Sequence, residues 1–268
     1  MLRRLRWPIY VALALLLVVA TAVTVWKLRL RGKDLKPAPV ARTAGGGSAT
    51  LPVPDLPAYE VARDLALRFV AEEDPREVLK MIRQWPGCLQ EVTAFLADNP
   101  PVEGVDKLLS DMPPVIRPDV VYQGFGLTLP SGSGRLVLIL ETADGPKVDF
   151  KAYTEWCSVP GKALLDGEVD HADEVRAILG PSTYYNYEFS DSDRYLAFGA
   201  TLGGGTEPLT IYVIRDSAEA EQLTRAINRI GMHPATFSLQ AVGESHKRRQ
   251  FLLSGLLAIG FVVPEEGG

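Results

Sequence analysis

The apolar positions of this chain follow three different patterns, and each predicts a different kind of element. Residues 7–26 form a run of 20 positions without a charge. A helix rising about 1.5 Å per residue would carry that run across roughly 30 Å of hydrocarbon. The run therefore predicts a transmembrane helix, with Trp7, Tyr10 and Trp26 near its ends, where amphipathic rings favour the headgroup level. A cleaved signal peptide is the alternative, although the segment is long for one and no A-x-A site directly follows it.

Further along, the spacing becomes helical. Val61, Leu65 and Phe69, with Ala62, Ala66 and Val70 beside them, predict a first amphipathic helix. A second opens at Asp74-Pro75-Arg76-Glu77, where Asp74 caps, Pro75 suits the first helical position and Glu77 completes a capping box. Val78, Ile82 and Trp85 share its face until Pro86. A third helix covers residues 89–98, with Cys88, Val92 and Phe95 on one side, and stops at Asn99-Pro100-Pro101.

From Val120 the period changes to two. Strands over 120–129, 136–141 and 147–150, separated by Ser131-Gly132-Ser133-Gly134 and Asp144-Gly145-Pro146, predict a three-stranded antiparallel meander. Residues 152–165 read as helical turns broken at Pro160-Gly161. A second set of strands is expected over 183–189, 195–201 and 209–215, with 203–205 as a flexible connector. Ser217 or Asp216 then caps a helix to Ile230 that turns Ala220, Leu223, Ile227 and Ile230 toward the sheet. A strand over 235–242 follows, and the apolar run 251–263, too short to span a bilayer, is expected as a buried closing element.

The expected fold class is therefore α+β. Residues 1–31 are a transmembrane anchor with basic flanks, and 32–57 a stalk rich in Pro, Ala, Gly and Ser. Three helices and a meander occupy 58–167. A second antiparallel part with one packing helix occupies 168–263, and 264–268 form a tail. Lys27, Arg29, Arg31, Lys33 and Lys36 outnumber Arg3, Arg4 and Arg6, which favours a cytoplasmic domain. The short basic N-terminus and the stalk favour a signal-anchor with N inside and the domain outside the cytoplasm. We carry the second orientation forward and keep the first as the alternative.

Charge narrows the partners. Setting aside the eight basic residues and one acid of the first 36 positions leaves 20 basic and 32 acidic residues, a formal charge of −12. Such a domain lacks the basic footprint of a nucleic-acid or anionic-lipid binder. Cys88 and Cys157 are read as two ordinary thiols, with a disulfide as the alternative.

Little in the chain suggests chemistry. His171, His233 and His246 lack the paired spacing of a metal site, so neither metal nor cofactor is expected. Asp191-Ser192-Asp193 begins like a calcium loop but lacks the glycine and glutamate that would follow. Ser131-Gly132-Ser133-Gly134 is no nucleophile elbow, and Gly203-Gly204-Gly205 lacks the lysine of a phosphate loop. Cys157 with His171 as nucleophile and base is a weak alternative, and His171-Ala172-Asp173-Glu174 reads as a solvated helix start or turn. Asp149, at a strand end, is expected to cap the following helix and is also a ligand-facing candidate.

The densest aromatic stretch is Pro181 to Asp191. As a strand it would send Thr183, Tyr185, Tyr187 and Phe189 to a core packed against the helix near 217–230. Tyr184, Asn186 and Glu188 would face the other way, as ligand-facing candidates.

The succession EEDPREVLKMIRQW, VDFKAYTEW, TYYNYEFSD and IYVIRDS resembles a group of uncharacterised bacterial proteins with one transmembrane helix, a Pro-rich stalk and an α+β domain. The resemblance covers roughly residues 74–263 and implies an architecture, not a mechanism. Three helices before a curved meander are also similar to the cone of nuclear transport factor 2, a likeness of fold only. The expected function is a membrane-tethered, non-catalytic interaction or ligand-binding module with a protein partner in the envelope. A hydrolase using Asp149, His171 or Tyr185 in the cone is the alternative.

Overall fold

The computed structural model describes residues 56–99, 109–117, 120–129, 134–203, 205 and 207–264. The expected anchor and most of the stalk lie outside them. Among the described residues no helix is long and apolar enough to cross a membrane.

Three helices come first: α1 (Tyr59–Ala71), α2 (Pro75–Met81) and α3 (Cys88–Asp98). On α1 the buried positions are Ala62, Leu65, Ala66, Phe69 and Val70, while Val61, expected inside, is half exposed. Asp74 caps α2 by accepting from the Arg76 amide, as its position implies. That helix stops at Met81, short of Trp85, because Ile82 turns extended and bridges to Val148.

The strands β1 (Leu109–Asp111), β2 (Val115–Ile116), β3 (Val121–Thr128), β4 (Gly134–Thr142) and β5 (Gly145–Val148) form an open antiparallel sheet, ordered β1-β3-β4-β5, with β2 also on β3. One face puts Phe125, Leu127, Val137 and Ile139 against the three helices. The other puts Leu136, Leu138 and Leu140 against Ile178, Phe261 and Val262. Because the middle of β4 is covered on both faces, Leu136 to Leu140 are apolar without alternation.

Two short helices, α4 (Phe150–Thr154) and α5 (Gly161–Asp166), lead to β6 (His171–Ser182), β7 (Tyr195–Thr201), β8 (Pro208–Ile214), α6 (Ala218–Ile230), β9 (His233–Gln240) and β10 (Gln250–Ile259). The break at Pro160-Gly161 falls where expected. These five strands close into a barrel in the order β10-β8-β7-β6-β9. Its core gathers Val175, Ala177, Ile211, Phe237 and Phe251 together with Ala220, Leu223 and Ile227 of α6. Ser217 caps α6 by accepting from the Ala220 amide.

Three expectations need correcting. The second part is not wholly antiparallel, since β10 runs parallel to β8 and this pairing closes the barrel. His171 to Glu174 begin β6, with a register shift between Ala172 and Val175, instead of forming a helix start or turn. Finally, no strand runs through 183–189: β6 ends at Ser182 and Tyr187–Phe189 form a 3₁₀ turn, because Tyr187 takes a φ of 50° that no strand accommodates.

Candidate functional site

The 3₁₀ turn lies across the outer face of β7 and β8. Phe189 is fully buried and stacks on Tyr212, with centroids 4.0 Å apart and planes 7° apart, while Tyr195 meets it edge-on at 5.3 Å. These rings cluster with Ala197, Tyr185 and Leu252 and not with α6, contrary to the strand reading. Buried Tyr212 donates to the Tyr184 carbonyl at 2.8 Å and receives Gln250 Nε2 at 3.2 Å. Burial, reinforced by Tyr184 and Tyr185, pushes its phenol up to about 12.

Above this base sit three of the sequence candidates. Asn186 donates to the Tyr184 hydroxyl at 2.6 Å and accepts from Gln250 at 2.5 Å. Glu188 receives Arg248 Nη2 on both carboxylate oxygens, and the same guanidinium lies 4.4 Å from the centroid of Tyr187. The Arg248 hydrogen bond holds the Glu188 carboxyl below its usual range. Tyr187 was expected in the core, yet it is 63% exposed, next to Tyr184 at 52%. A non-glycine residue in the left-handed region carries backbone strain.

Asp149 lies elsewhere. It is 4% exposed; Oδ1 caps α4 by accepting from the Ala152 amide, and Oδ2 accepts from Arg83 Nη1 at 2.9 Å. It lines a cleft of about 200 Å³ between the helical layer and the barrel, with Arg83, Lys151, Glu174 and Arg176 as its other charged walls. Neither His171 nor Tyr185 lines that cleft. His171 pairs with Asp170 on the surface, which raises its pKa, and the Tyr185 hydroxyl accepts from the Ala197 amide at 3.3 Å.

The remaining candidates settle into local roles. Asp191 accepts from the amides of Asp193 and Arg194, which makes its segment a turn. Cys88 and Cys157 are free thiols, and burial raises the Cys157 pKa, so that it stays protonated at neutral pH. Among the described residues no cluster of three His, Cys, Asp or Glu side chains is placed to hold a metal.

Sequence reasoning missed Tyr187, Arg248, Tyr212 and Gln250 at the first place, and Arg83, Lys151 and Arg176 at the second, while Glu174 enters it as part of a solvated helix start or turn. Of these, Arg176 left a signal: it is the one charge in the apolar stretch from Val175 to Leu179 of β6. No known protein family, characterised protein or solved structure matches the chain.

Proposed function

We propose that this chain is a membrane-tethered, non-catalytic interaction module. The apolar run at residues 7–26 anchors it with N inside, and the domain meets a protein partner in the envelope. The partner-facing surface is built from Tyr184, Asn186, Tyr187, Glu188 and Arg248.

One observation carries this reading: Tyr187 is exposed, held at φ 50° and covered on one side by Arg248. Tyrosine and arginine supply much of the binding energy at protein interfaces, because they bury large amphipathic area at little cost in side-chain freedom. The stacked base of Phe189 and Tyr212 holds that pair on a rigid support. A hydrolase would need at least two of Asp149, His171 and Tyr185 to converge on one cleft, and of the three Asp149 alone lines the cleft with Arg83 and Glu174. The reading is tested by removing the Tyr187 ring from the full chain in its membrane and comparing the proteins that cross-link to it.

A further inference from the structure

We propose that the cleft between the end of α2, the start of α4 and β6 binds the carboxylate group of a small organic monoanion. This is independent of the surface around Tyr187 and rests on the hydrogen-bonding capacity of the cleft.

Its carboxylate oxygens, on Asp149 and Glu174, are each engaged. Asp149 takes the Ala152 amide on one oxygen and Arg83 on the other, both at 2.9 Å. Glu174 takes Arg176 Nη1 at 2.5 Å on Oε1 and Lys151 Nζ at 3.0 Å on Oε2.

Its donors are not. Arg176 is 1% exposed, donating from Nε to the Phe261 carbonyl and from Nη1 to the Trp156 carbonyl and Glu174. Among the described residues its Nη2 group has no acceptor. Lys151 gives a single hydrogen bond, to Glu174, and otherwise lies 4.0 Å from the ring centroid of Trp156 and 5.7 Å from that of Trp85. Guanidinium and ammonium groups carry five and three donors, so both side chains keep donors that an acceptor in the cleft can engage.

The charges agree with this. Among the described residues Lys151 and Arg176 share the single carboxylate of Glu174, so these two cations keep one positive charge between them. A monoanion cancels it, whereas a dianion would leave negative charge beside two carboxylates in a partly dry site. Trp85, Val263 and Pro264 add apolar wall for a carbon body, and about 200 Å³ suits an acid of a few carbons.

The test is isothermal titration of the purified full chain in detergent at about pH 8.5, where phosphate is a dianion and lysine is still protonated, and at fixed ionic strength, with butyrate, inorganic phosphate and chloride as probes. Butyrate should bind saturably and about tenfold more tightly than phosphate or chloride. Lys151 is partly exposed, so Lys151→Gln should fold, as circular dichroism will check, and should weaken butyrate by about tenfold. Arg176→Lys, where it folds, should weaken it at least as much. The proposal is overturned if folded protein shows no saturable butyrate binding, if phosphate binds as tightly as butyrate, or if Lys151→Gln binds like the wild type.

Discussion

Arg83 Nη1 donates to Asp149 Oδ2 at 2.9 Å, and through this pair the chain leaving α2 is fastened to the first turn of α4. Asp149 is almost wholly buried and Arg83 mostly so, and the Asp149 amide also donates to the Leu138 carbonyl of β4. One residue, through its carboxylate and its amide, thereby joins the segment after α2, the sheet and the first turn of α4. Asp149→Ala should cost about 2–4 kcal/mol, combining a lost cap with the loss of a largely buried ion pair to Arg83. In a double-mutant cycle with Arg83→Ala, measured by urea denaturation, the two changes should couple by about 1–2 kcal/mol. Additive effects would mean that the pair is incidental.

Glu155 predicts a pH dependence. It follows α4 in the left-handed region, and burial raises its carboxyl above the model-compound value of 4.5, despite a hydrogen bond from the Gly203 backbone and the charge of Arg135. The folded chain therefore holds this proton more tightly than the unfolded one. Stability from this group should fall as pH rises from the ordinary carboxylate range through the higher folded value. Glu155→Gln keeps an acceptor for Gly203 and removes the charge, so it should be more stable than the wild type above that window and equal to it below. Denaturation curves at pH 4 and pH 7 will show this, and a variant less stable at pH 7 would refute it.

Gly167 has φ 69°, and a Cβ there would lie 2.8 Å from Lys247 Cα and 2.9 Å from the His246 carbonyl. Both neighbours are backbone, of the turn that carries Arg248, and cannot swing away. Gly167→Ala should cost about 2–4 kcal/mol from left-handed strain and overpacking together. A thermal shift corresponding to less than about 1 kcal/mol would show that this contact is loose.

Much of the fold was legible because local pattern and packing agree. Asp74, Asp149 and Ser217 cap the helices that their positions imply, and Ala220, Leu223 and Ile227 face the core that their spacing implies. The unalternating apolar run of β4 reflects cover on both faces. The aromatic stretch misled because alternation assumes extended backbone, and Tyr187 departs from it, sending its own ring outward while Phe189 turns in. Barrel closure depends on β10 meeting both β8 and β9, pairings that spacing along the chain does not encode. The cleft was hidden for a similar reason, since its walls come from residues 83–85, 149–151, 174–176 and 263–264. Tyr184 and Asn186 are joined by a hydrogen bond and not by a shared strand face.

The central claim is that the Tyr187 ring serves a partner and not the fold, and Tyr187→Asn in the membrane-embedded full chain tests it most directly. Asparagine tolerates the left-handed region, so relief of strain should offset the lost contact with Arg248 and leave stability within about 1 kcal/mol of the wild type. The proteins that cross-link to the wild-type domain should then be lost from the variant. The account is contradicted if the variant keeps those partners at wild-type levels, or if it is destabilised by several kcal/mol, which would make the ring structural.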